Sequence, residues 1–250
     1  MKSLLRFEFF KMRKRKSLYI CTAVMLLIIF LALLASYESY VMMQEWDIGY
    51  VPSAITYVLS ATGTCDFAMI AGIFVALYVC EDFGQRTVKN VYSRGFSRVG
   101  VYFSKLIICA LYVVAAFLLV ELFTLAFGSL LFEYRVEEGH ILALLLGQLL
   151  VCLAYASFAF AVGFMVKKTG IAIAISIVAP IAVSFVLALV DVYIDSETFF
   201  LSDYWLEGIS NSLSNPLTEV KDIVVGCILP VIYSALFVTA GFFVHRKAEV

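Results

Sequence analysis

Four stretches of the chain, residues 17–37, 139–166, 169–190 and 223–244, contain no Asp, Glu, Lys or Arg. A run of about 20 apolar residues matches the hydrocarbon thickness of a bilayer, so each stretch predicts a transmembrane helix. Two further spans follow from charges that a helix cannot avoid. Asp66 and Glu81 are separated by 14 residues, roughly 21 Å of helix against a core of about 30 Å. The second span therefore begins before Asp66, between Ser53 and Gly63. From Lys105 to Glu133 the single intervening charge is Glu121, and neither the 15 residues before it nor the 11 after it would cross alone. Glu121 thus belongs inside the third span.

The pattern predicts an all-α polytopic membrane protein with six transmembrane helices at about 18–37, 57–80, 104–132, 140–166, 169–190 and 223–244. Residues 1–250 form a single transmembrane domain, with a basic arm over 1–17 and an inner connection over 81–103. The apolar stretch after the arm is too long for a signal-peptide core and lacks a small-residue cleavage site, so it is expected to stay as the first span.

The polar connections carry patterns of their own. In the inner connection Thr87, Val88, Val91 and Tyr92 share one face of a short predicted helix, with Gln85, Arg86, Lys89 and Asn90 around them and Gly84 and Gly95 on either side. Such a helix can dock on a partner or lie on anionic headgroups. The long connection 191–222 places Leu201, Trp205, Ile209 and Leu213 at steps of four, opposite Asp203, Glu207, Ser210 and Ser214. This predicts one amphipathic helix at the outer interface or lining a vestibule. In the arm Leu5, Phe9 and Met12 make a weak stripe, and the expectation is a basic anchor on the membrane surface.

Charge then sets the orientation. Of 18 Lys and Arg residues, sixteen fall in the arm, the second and fourth connections and the C-terminus, leaving Arg135 and Lys221 on the other face. Short basic loops stay in the cytoplasm, so both termini are expected there. The net charge of −1 hides this asymmetry, and the absence of a basic tail argues against a nucleic-acid partner.

Composition closes off several chemistries. With 63% hydrophobic and 15% charged residues the chain is no water-soluble globule. The six cysteines stand singly, mostly in apolar runs, and the two histidines, His140 and His245, lie at span ends, so no metal-ligand spacing exists. Neither an H-E-x-x-H nor a G-x-x-x-x-G-K-[ST] motif is present, so no enzyme activity and no nucleotide site of its own is expected. Two acids remain inside spans, Glu121 and Asp66. A buried acid is either a tie between helices or part of a polar path for cargo, and Asp66, nearer the outer end, has water within reach as a third option.

At the inner connection the order Glu81, Gly84-Gln85-Arg86-Thr87-Val88-Lys89-Asn90, Ser97-Arg98 and Lys105 resembles the ABC type-2 exporter permease family. The wider frame of basic arm, six spans and long last outer connection resembles it too, most closely the small bacterial permeases of peptide-toxin export and bacteriocin immunity. The resemblance implies a permease subunit of an ATP-driven exporter in the plasma membrane, paired with an identical or paralogous permease and two copies of an ABC ATPase that binds ATP and Mg. It also implies that Gln85 to Tyr92 form a coupling helix on the ATPase, that the arm is a connecting helix, and that the last outer connection re-enters the bilayer, although Asp203 and Glu207 make that segment polar. Glu121 and Asp66 are then candidates for the cargo path, and Leu201, Trp205 and Ile209 for an outer vestibule. The alternative from another class is an ATPase-independent secondary transporter or channel.

Overall fold

The structure, a computed structural model, describes residues 2–45, 53–63, 65–84, 92–93, 95–132, 140–194 and 200–247. Among them the chain is helical without strands. The main helices are α1 (Lys2–Lys14), α2 (Lys16–Glu45), α3 (Ala54–Gly63), α4 (Cys65–Gly84), α5 (Arg98–Leu131), α6 (Ile141–Val166), α7 (Thr169–Ile194), α8 (Leu206–Leu213) and α9 (Val220–Lys247). A 3-10 turn over Ser202–Tyr204 precedes α8. Six of the helices, α2, α4, α5, α6, α7 and α9, are long and apolar enough to cross a membrane.

The amount of burial divides the six. The apolar windows of α4 and α6 are 61% and 67% buried, whereas those of α2, α7 and α9 are 11–17% buried. Hence α4 and α6 form the core, and the outer helices keep apolar faces turned outward, as helices surrounded by lipid do. The core holds aromatic rings in contact, with Phe74 against Tyr112 at 3.9 Å and Tyr102 against Phe160 at 5.0 Å between centroids.

Small residues let the helices approach. A Cβ on Gly163 of α6 would stand 3.0 Å from Val79 of α4, and one on Gly147 would stand 2.9 Å from a methyl of Leu213 on α8. Gly163 and Gly147 of α6 thus mark where α4 and α8 seat. The second crossing segment comprises α3 and α4. It runs antiparallel to α5: Ala54 sits beside Gly128, Thr62 beside Glu121, Phe67 beside Phe117 and Asp82 beside Lys105.

The start of α5 is a complete cap. Gly95 adopts φ +84°, which L side chains resist, and reverses the chain before the helix. Ser97 then accepts a hydrogen bond from the Gly100 amide at 3.1 Å. At the end of α6, Lys167 takes the left-handed conformation and its amide closes on the Gly163 carbonyl.

Two expected stripes differ from the observed ones. The outer connection is not one helix from Leu201 to Leu213. Leu201 precedes the 3-10 turn, Trp205 is the cap of α8, and the buried face is Leu206, Ile209, Ser210 and Leu213. The turn forms because Asp191 at the end of α7 accepts the Leu201 and Ser202 amides at 2.6 and 2.9 Å, which fixes the chain before a helix can start. In α1 the buried positions are Leu4, Glu8 and Met12 rather than Leu5, Phe9 and Met12. A glutamate lies on the buried face because cationic and hydroxyl partners await it there.

Candidate functional site

Two polar clusters interrupt the apolar interior. The inner cluster gathers α1, α4 and the start of α5. Glu8, Asp82 and Lys105 are each at most 2% exposed. Lys105 pairs with Asp82, and with Glu8 at 3.2 Å. Lys11 and Arg15 also reach Asp82, the latter at 2.6 Å, and Arg15 pairs with Glu81. Tyr78 donates its hydroxyl to the Glu8 carboxylate. Three cations against three carboxylates leave no net charge, which is how so many ions are sheltered together. Burial, with Lys105 nearby, pushes the Lys11 ammonium below its usual range against the pull of Asp82.

This cluster frames the inner connection. Asp82 lies two residues before the end of α4. On the far side, the Tyr92 hydroxyl is 3.1 Å from Nε2 of His245, and the Arg98 guanidinium lies over the Tyr92 ring. His245, near the end of α9, is 1% exposed and stacks on Tyr102. The chain entering the connection is therefore held by the arm and α5, and the chain leaving it by α9. Of the candidate coupling residues, Gln85, Arg86, Thr87, Val88, Lys89, Asn90 and Val91 lie outside the described residues, and Tyr92 alone is placed.

The second cluster lies at the junction of α3 and α4. Thr62 contacts Oε1 of Glu121 and lies 2.9 Å from Oε1 of Gln148. Gln148 donates its amide hydrogens to the carbonyls of Leu59 and Leu213 at 2.8 and 3.0 Å, and that fixes which of its ends faces Thr62. A hydroxyl has one hydrogen to give and two acceptors stand beside it. Every contact is satisfied when Glu121 holds a proton, donates to Thr62, and Thr62 donates to Gln148. Ser210 of α8 donates to the Gly63 carbonyl at 2.8 Å. A Cβ on Gly63 would lie 2.0 Å from the Ser214 hydroxyl, so a side chain there would push α8 away. One network thus joins α3, α5, α6 and α8.

The sequence-derived candidates separate accordingly. Glu121 is 9% exposed and committed to this network; its Oε2 has no hydrogen-bond partner among the described residues. Asp66 is exposed and lines a cavity between α2 and the α3–α4 pair. Ile209 is on the buried face of α8, while Trp205 donates its indole N–H to the Pro180 carbonyl at 3.3 Å and packs on Tyr233. Leu201 and Trp205 are half-buried, and of the three Ile209 lines the outer cavity. That cavity, about 600 Å³, is bordered by Asp203, Glu207, Lys221 and Asp222. Burial, with Asp191 and Asp222 nearby, raises the Asp203 carboxyl above its usual range. Glu8, Thr62 and Gln148 were not among the candidates, since each partner lies far away in sequence.

No curated protein matches the chain in a sequence comparison. The family model described as an ABC-2 family transporter protein matches residues 4–194, from the arm to the end of α7, with α8 and α9 beyond the match. That stretch covers the inner polar cluster, the inner connection and Thr62, Glu121 and Gln148 of the second cluster, and by it this membrane protein with six candidate spans belongs to the ABC-2 transporter family.

Proposed function

We propose that the chain is the transmembrane permease subunit of an ATP-driven ABC exporter in a bacterial plasma membrane. Two permeases, identical or paralogous, would pair with two ABC ATPase subunits that bind ATP and Mg. The cargo is an amphipathic peptide, an antibiotic or a lipid-like molecule. Residues 85–92 seat on the ATPase from the cytoplasm.

The observation that carries the proposal is the anchoring of the inner connection at both ends. Asp82 ties its entry to α1 and α5, and Tyr92 ties its exit to α9 through His245. Displacement of the segment between them would pass into three helices rather than dissipate in slack chain. These 250 residues hold no P-loop, and for that reason the reading assigns ATP hydrolysis to a partner ATPase.

The test is reconstitution with and without the ATPase that co-purifies with the tagged chain. Alone in liposomes, the chain neither hydrolyses ATP nor exports an amphipathic fluorescent peptide; with the ATPase it does both. ATP hydrolysis by the isolated chain would overturn the assignment. Peptide movement driven by an ion gradient without ATPase would establish the secondary-transporter alternative instead.

A further inference from the structure

Asp66 occupies an unusual place for a carboxylate. Ala54 of α3 marks the outer end of the α3–α4 pair beside Gly128, and Asp66 is twelve residues farther in, at the level of Glu121 and Phe117 on α5. An ionised acid at such a level costs roughly 2.5–3.5 kcal/mol when it faces hydrocarbon. Its position in the first turn of α4 complements the helix dipole, which accounts for an acid at a helix start but not for its facing an apolar cleft.

The cleft has a volume of about 180 Å³. Met25, Ile29 and Leu33 of α2 form one wall, and Phe67 and Ile70 of α4 the other. Ser36 and Ser60 add hydroxyls, that of Ser60 being spent on the Tyr57 carbonyl at 3.0 Å. One charge therefore stands in an otherwise apolar groove. Asp66 forms no ion pair with a described residue. No described basic residue pairs with it, and sixteen of the 18 basic residues of the sequence belong to the inner segments. Of the other two, Lys221 borders the outer cavity and Arg135 lies outside the described residues. An identical second copy has the same shortage among its described residues, which leaves a ligand to supply the complementary charge.

We propose that this cleft binds one monocationic amphiphile, with its ammonium against Asp66 and its apolar body between α2 and α4. The cleft offers one carboxylate and one apolar groove, which makes the occupant a cation with a single apolar body. Away from water, the charge pair gains strength that it would lack at the surface. The inference deepens the exporter reading, on which the identification of this ligand with cargo rests.

The experiment is equilibrium binding of radiolabelled dodecyltrimethylammonium to the full chain in phosphatidylcholine nanodiscs, without ATPase, with dodecanol as the uncharged probe. The wild type binds the cation saturably, one per chain. Asp66→Asn, which keeps the shape, weakens the cation roughly tenfold or more and leaves dodecanol unchanged. Ala32→Phe, which fills the cleft from α2, weakens both probes while Asp66 remains. Equal cation affinity in wild type and Asp66→Asn, or no saturable binding to the wild type, overturns the site. Because no ATPase takes part, binding that persists in a protein showing no ATP-driven export would defeat the exporter reading alone, and export with a failed binding test would defeat the site alone.

Discussion

Glu121 and Lys105 are both ionisable residues buried by their helix, and they meet that cost differently. Glu121 is matched by hydrogen bonds to a neutral network, Lys105 by carboxylates. Glu121→Gln supplies an amide hydrogen to Thr62 in place of the carboxyl proton, so the detergent-solubilised protein should melt within about a degree of wild type. Glu121→Leu removes the donor and should cost about 1 kcal/mol, a fall of a few degrees. If the Gln variant melts as low as the Leu variant, Glu121 acts as a carboxylate and the proton placement is wrong. Lys105→Met leaves Glu8 and Asp82 in an interior with one cation fewer, and should cost about 3–5 kcal/mol. Adding Glu8→Gln should restore part of that loss in a double-mutant cycle of melting temperatures; strict additivity would show that the two residues do not interact. The acids inside spans were legible from the sequence because span length forces them there. Their partners were not: Thr62 and Glu121 are 59 residues apart and Glu8 and Lys105 are 97 apart, and no periodicity links such positions.

At the scale of elements, apolar runs long enough to cross a bilayer were legible, and the short helices were not. The stripe from Leu201 to Leu213 failed because Asp191, from the preceding helix, captures two amides and starts a 3-10 turn instead. The face of α1 failed because it buries a glutamate, and hydropathy counts that residue as exposed. Packing of α8 depends on the absence of side chains opposite Leu213. Gly147→Val would put branched carbons where the nearest methyl is already 2.9 Å from a Cβ position. Overpacking of this kind costs about 1–3 kcal/mol, and α8 should swing outward, exposing its buried Ser210. A cysteine placed at 210 should then react with a membrane-impermeant maleimide faster in the Gly147→Val background; unchanged labelling would mean that the Gly147–Leu213 contact does not set the position of α8. On the inner side, Val88→Asp with Tyr92→Ala removes an apolar anchor from the connection and its tether to His245. Losses above 1 kcal/mol are usual for such anchors, so ATPase capture should fall at least several-fold while membrane insertion is unchanged. Capture at the wild-type level would reduce the segment to a headgroup anchor.

At the scale of the whole molecule, the division of charge between the two ends of the helices decides orientation, and the ionic cluster adds a reason for its strength. The arm contributes seven basic residues, and two near its end, Lys11 and Arg15, are fixed against Asp82 at the inner end of α4. The arm, the second connection and the C-terminal end of α9 therefore meet on one side, where Tyr92 touches His245. Six crossings with this arrangement are expected to put both termini in the cytoplasm. Reporter fusions before residue 2 and after residue 250 should both be active only as cytoplasmic reporters. Replacing Lys167 and Lys168 by Glu removes the basic residues of the fourth connection, yet the topology should hold, because the larger basic clusters at the arm and second connection remain and the α6–α9 packing depends on Gly241 against Ala161, not on charge. A C-terminal fusion active only outside would require an odd number of crossings. The weakest crossing is then the divided α3–α4 pair, whose apolar run is interrupted at Thr62, Gly63 and Asp66, and the pairing of Ala54 with one end of α5 and Asp82 with the other would have to be abandoned.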